Sequence, residues 1–174
     1  MRKAFTLIEL LVSISILSIM MIFLYKSYAS LNSSNSFYEK KVNTIESTQL
    51  KKRVIYLDFA LKLDGNMSIR KQNPKEDVVF FQSANSVHKR FNPYIAYLIN
   101  NKKLYRLESL KEFKEYPLAQ DTLFSVDDLG EVNSFRVYSS SKKVDDKKSE
   151  MFLVHIDFKE QEDILLKIKA LNEE

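Results

Sequence analysis

The residues best placed to do chemistry stand at the start of the chain: Arg2, Lys3, Ala4 and Phe5, with Glu9 four positions on. The small side chain of Ala4 lets a peptidase approach the Ala4–Phe5 bond closely. Cleavage there would discard two positive charges and leave a free amine on Phe5. Glu9 is the only charged residue between Phe5 and Tyr25. A carboxylate in such an apolar run costs on the order of a few kcal/mol unless it is paired, so Glu9 calls for a cationic partner.

Other chemistry-bearing residues are fewer. Asp127, Asp128 and Glu131 flank Gly130, and three oxygen ligands near a turn could begin a calcium site. Their spacing fits no defined calcium loop, and a solvated turn is the simpler reading. His88 and His155 have no neighbouring Ser, Cys or carboxylate in sequence that would make a nucleophile or general base. Both are read as structural or surface residues, His155 on the outward register of its strand. The absence of cysteine excludes disulfides, thiolate zinc sites and Cys nucleophiles. These residues support neither an enzyme nor a bound cofactor.

The positioning elements follow from composition and periodicity. The chain has 174 residues, 45% apolar and 29% charged, as expected of a folded protein. Most of the charge lies after residue 38. The net charge of +4 falls to +2 once Arg2 and Lys3 are gone, too little for a nucleic-acid surface. No Gly or Pro occurs before Gly65, which permits one helix from Phe5 to about Leu63, roughly 90 Å long. Phe5 to Tyr25 matches the ~20 residues that cross a hydrocarbon core, with Ser13, Ser15 and Ser18 able to bond back one turn. Ser and Asn weaken the helix between Ser27 and Ser36. Leu50, Val54, Leu57 and Leu61 then define an apolar face, with Asp58, Lys62 and the basic run Lys51–Arg53 largely off it. That run reads as a solvated face, or otherwise as a contact for anionic headgroups or nucleic acid.

Beyond Gly65 the signals are strands: Val78–Gln82, Tyr94–Ile99, Leu104–Leu107, Val132–Tyr138, Phe152–Phe158 and Ile164–Ala170. Asn100–Asn101 reads as a hairpin turn, and Ser139–Glu150 as a charged, mobile loop. The expected fold is α+β, a long N-terminal helix packed on a small antiparallel sheet. Its divisions are a leader at 1–4, a membrane helix at 5–26, an amphipathic continuation at 27–64 and a sheet domain at 65–174.

The opening Met1-Arg2-Lys3-Ala4-Phe5-Thr6-Leu7-Ile8-Glu9-Leu10-Leu11-Val12 resembles the type IV pilin-like superfamily of pilins and pseudopilins over about the first 25 residues. The resemblance implies cleavage at Ala4–Phe5 by a prepilin peptidase, N-methylation of Phe5, and pairing of Glu9 with the N-terminal amine of a neighbouring subunit. Leu7, Leu10, Leu11 and Ile14 would supply the apolar contact between helices. It also implies a pilus or pseudopilus as destination, with other such subunits and an inner-membrane assembly platform as partners. Ala4 stands where the family more often has Gly. The membrane helix lacks a breaker and the chain lacks a cysteine pair, which leans towards a minor pilin or pseudopilin. The hairpin Tyr94–Leu107 with Arg106 after its turn, the strand Val132–Tyr138 and the terminal pair are similar to the larger minor pseudopilins of type II secretion, the J type in particular.

Two other readings of the N-terminus stand beside this one. A cleaved signal peptide would need a shorter apolar region and a small-residue site after it, and neither is present. An uncleaved signal anchor would leave a bitopic inner-membrane protein with a periplasmic binding or scaffolding domain and no filament. In both the pilin-like and anchor readings, Arg2 and Lys3 hold the N-terminus in the cytoplasm and the remaining ~150 residues lie outside it.

Overall fold

The computed structural model describes residues 6–63, 65, 67–118, 123–144 and 147–171. The leader residues Arg2, Lys3, Ala4 and Phe5 lie outside the described residues. By its internal contacts the chain divides into two compact units, Met1–Ser47 and Thr48–Glu174. One helix, α1 (Leu7–Ala60), supplies most of the first unit and the opening of the second. It is continuous through the Ser- and Asn-rich stretch where weakening is expected.

The second unit is a seven-stranded sheet in sequence order: β1 (Ser68–Asn73), β2 (Glu76–Gln82), β3 (Tyr94–Asn100), β4 (Lys103–Ser109), β5 (Ser125–Val144), β6 (Lys147–Phe158) and β7 (Ile164–Lys169). Consecutive strands pair antiparallel. One parallel bridge, Glu76 to Phe135, also joins β2 to β5. This is the α+β fold expected: the last turns of α1 cover the sheet. Ile55, Phe59 and Ala60 pack with Val79, Phe81, Tyr97, Phe152 and their neighbours in the main core. The Phe59 ring lies 4.8 Å from that of Phe81 and 5.6 Å from that of Phe152.

The face of α1 that does this is not the one its leucines mark. Leu50 is exposed, while Thr48, Ile55, Asp58, Phe59 and Lys62 are buried. The buried face carries three polar residues whose partners come from strands and loops, so apolar periodicity points to the wrong stripe. The Lys62 ammonium sits 3.0 Å from Glu150 and donates to the carbonyls of Leu63 and Gly65. Helix C-terminal carbonyls need partners too. Ala60 O accepts from Leu171 N at 2.8 Å, and Leu61 O from Ala84 N at 2.9 Å.

A second, smaller core lies among Val78, Phe80, Ala96, Leu98, Leu107 and Phe113. It explains why β2 and β3 read as unbroken apolar runs: their central residues are buried on both faces. The first strand is polar and largely exposed along an edge, and carries no apolar alternation by which to find it. Ser139–Glu150 is another correction. Backbone pairing of β5 with β6 continues from Ser139–Phe152 out to Val144–Lys147, so a segment without apolar pattern forms a two-stranded ribbon.

The β3–β4 turn is one residue later than the asparagines imply. Asn100 pairs with Lys103, leaving Asn101 and Lys102 as the two turn residues, with φ of 49° and 62°. Asn tolerates the left-handed region, whereas Lys pays for its Cβ there. Lys102→Gly is expected to stabilise the sheet unit by about 1 kcal/mol. Thermal melts of the two full-length chains in detergent check this, and an unchanged or lower midpoint contradicts it.

Candidate functional site

The sequence-marked site begins where α1 begins. Thr6 is its N-cap, and the pair Thr6–Glu9 occupies the positions of a capping box, a local signal that accounts for the helix starting here. Glu9 Oε2 accepts from Thr6 N at 2.9 Å and from Thr6 Oγ1 at 2.8 Å. The carboxylate therefore folds back over the first turn of the helix. Leu7, Leu10, Leu11 and Ile14 are all more than half exposed. Ser13, Ser15 and Ser18 each donate to the carbonyl four residues earlier, at 2.8 Å, which leaves an apolar surface with few unpaired polar groups. Among the described residues α1 is the one helix long and apolar enough to cross a membrane, and its apolar window is wholly unburied. What this arrangement can do is anchor the chain in lipid and present a single carboxylate near one end.

The sheet unit holds a second polar constellation that sequence reading missed. Arg106, on β4, is fully buried and grips Asp58 of α1 through Nε (2.6 Å) and Nη2 (3.2 Å). Its Nη1 reaches Glu108 at 2.9 Å and Asp127 at 3.0 Å. Tyr97 and Asn85 also donate to Asp58, each at 2.6 Å. Glu108 in turn accepts from Ser86 Oγ at 2.6 Å and Val87 N at 3.0 Å. Arg90 adds donors to Glu108 O and Ser125 Oγ. One guanidinium thus ties the helix end, β4 and β5 together, and two of its carboxylate partners, Asp58 and Glu108, hold the loop 84–93. The sequence signal was slight: an Asp in the last turns of a helix, and an Arg inside an otherwise apolar strand.

The polar side chains of this cluster are engaged with one another. Ser86 gives its hydroxyl to Glu108, and the His88 ring nitrogen Nε2 lies 3.0 Å from Asp127, a carboxylate partner that sequence neighbours did not reveal. Burial pushes the Asp58 carboxyl above its ordinary value, against the pull of Arg106, Tyr97 and Asn85. Burial also opposes ionisation of Glu108, but hydrogen bonds from Ser86 and Arg106 outweigh it and hold that carboxyl below its usual range. Burial and the Asp58 charge raise the Tyr97 phenol.

The two carboxyls therefore respond oppositely to acid. Because the folded-state pKa of Glu108 is lowered, its stabilisation is present above its ordinary value of 4.5 and is lost as pH falls through the folded value. Asp58, raised in the fold, offsets part of that loss by taking up its proton earlier. Melts of the full chain are expected to show lower stability at about pH 3.5 than at neutrality, with a smaller difference in Glu108→Gln. An equal acid response in that variant would assign the loss elsewhere.

The acidic trio near Gly130 is dispersed among cations. Asp127 contacts Arg106 and His88, Asp128 lies 2.9 Å from Lys103, and Glu131 lies 2.9 Å from Lys159. Lys103 holds the Asp128 carboxyl below its ordinary value, as Lys159 does for Glu131. Gly130 has φ of 109° beside a register shift between β4 and β5, and its N–H donates to Asp128 at 2.8 Å. Among the described residues no group of three or more His, Cys, Asp or Glu is placed to hold a metal ion. Of the basic run, Lys51 lies over the Phe158 ring and donates to Gln161, while Arg53 is exposed.

Neither a curated protein nor a solved structure matches the chain. Residues 1–25 match the prokaryotic N-terminal methylation motif, and with the apolar helix this supports membrane anchoring and a structural subunit of the type IV pilin-like class.

Proposed function

We propose that the chain is a non-catalytic subunit, cleaved between Ala4 and Phe5 by a prepilin peptidase, N-methylated on Phe5 and assembled as a minor component of a type IV pilus or of a secretion or competence pseudopilus. The observation that carries this is the methylation motif on residues 1–25, which from Leu7 onward is the start of an unburied apolar helix. A basic leader, a small residue before Phe5 and a lone acid at Glu9 are what processing and helix-to-helix assembly require. In this reading Arg2 and Lys3 keep the N-terminus in the cytoplasm, and the sheet unit is displayed on the other side of the inner membrane. Within the class, the hairpin carrying Arg106 favours a minor pseudopilin of the J type, with other pseudopilins and the assembly platform as partners.

The test is the intact mass and N-terminal sequence of the chain from membranes, with and without a co-expressed prepilin peptidase. Loss of Met1–Ala4 with one added methyl group on Phe5 is expected. An intact Met1 beside an active peptidase would leave a plain signal anchor and remove the filament reading.

A further inference from the structure

Between the lipid-length stretch and the sheet unit, α1 carries a surface that a single chain leaves bare. Tyr28, Leu31, Asn35, Tyr38, Val42 and Ile45 recur at alternating spacings of three and four, the a and d positions of a heptad repeat. The five apolar or aromatic members are between 51% and 70% exposed. The intervening positions are mostly Ser, Asn, Lys and Glu. Among the described residues nothing from Thr6 to Glu46 is buried. Poor helix formers such as Ser30, Asn32, Ser33 and Ser34 do not sustain a helix by propensity. Helical stability here must come from packing a seam against something.

The same register identifies the occupant. Lys41 falls at a g position and Glu46 at the following e position, the pair that meets across a parallel, in-register two-stranded coiled coil. Two copies of this helix would therefore form two Lys41–Glu46 pairs related by symmetry. Asn35 falls at an a position, where it faces its own counterpart only in register and can hydrogen-bond to it; a polar a residue of this kind fixes register at some cost in stability. We infer that residues 28–45 form a parallel, in-register coiled coil with a second copy of this chain, a contact outside the lipid. The stretch is only about 27 Å long, marginal for a free helix pair. Two chains anchored in one membrane are already parallel and concentrated, which removes much of that penalty. The inference needs membrane anchoring but not entry into a filament, so it stands or falls separately from processing at Phe5.

The chain has no cysteine, which makes disulfide mapping clean. Single replacements are made in the full-length chain in membranes, in cells without a prepilin peptidase, and oxidised. Leu31→Cys and Tyr38→Cys, on the seam, are expected to form disulfide-linked homodimers, and Ser33→Cys and Lys40→Cys, on the opposite face, far fewer. With Tyr38→Cys as reporter, Lys41→Glu should lower the dimer fraction several-fold, and adding Glu46→Lys should restore it. Equal linking on both faces, linkage only to other proteins, or failure of the charge swap to restore dimers would overturn the inference. A staggered contact would show itself as linkage between unlike positions without linkage at like ones, and would overturn it too.

Discussion

Replacing Arg106 with Met is expected to cost the sheet unit about 3–5 kcal/mol, a large fraction of a domain's total stability. The side chain is fully buried and is gripped by Asp58, Glu108 and Asp127. Removing it strands two fully buried carboxylates, Asp58 and Glu108, in a low-dielectric interior. It also unties α1 and the loop 84–93, whose Asn85, Ser86 and Val87 are fastened to the same two carboxylates. The bare net worth of the cluster relative to an apolar core is a different and smaller quantity, since its own desolvation offsets much of the attraction. Arg106→Lys should lose less, retaining the charge but not the planar fork that spans Asp58 and reaches Glu108. Denaturant titrations of the full-length chains in detergent, followed by near-ultraviolet circular dichroism of the nine tyrosines, read both variants. A loss below about 1 kcal/mol for Arg106→Met would mean that the carboxylates find water or other donors, and that the cluster does not hold the unit together.

Glu9 predicts an effect of another kind. Glu9→Ala is expected to leave the chain inserted and folded yet absent from filaments or tip complexes, because the proposed pairing with a neighbour's Phe5 amine is gone. The capping bonds from Thr6 complicate that variant, since their loss alone weakens the first turn by about 1 kcal/mol. Glu9→Gln separates the two effects. Its amide oxygen can still accept from Thr6 N, but the charge is removed. If assembly depends on charge, Gln behaves like Ala in a sheared-filament or co-purification assay. Normal incorporation of Glu9→Gln would leave Glu9 as a helix cap and nothing more.

Local chemistry determined a good deal of this protein before any folding was considered. The apolar run and the absence of Gly or Pro before Gly65 specify a long helix apolar enough at its start to cross a membrane, because each acts through its own neighbours. The strands of the sheet unit that carry apolar runs were legible for the same reason, and so was a turn at the asparagines, although its register was not. Where no apolar pattern exists, as in β1 and the outer β5–β6 ribbon, the ladder is made by a partner strand and leaves no local trace.

Only the tertiary structure decided which face of α1 is buried. Leu50, Val54, Leu57 and Leu61 outvote Thr48, Asp58 and Lys62 in any count of hydropathy. A polar residue can nevertheless be buried once distant residues supply its hydrogen bonds. Asp58 depends on Arg106, 48 residues away, and Lys62 on Glu150. Nothing within a helical turn of either residue announces its partner, since the pairing exists only after β4 and β6 have been laid against the helix.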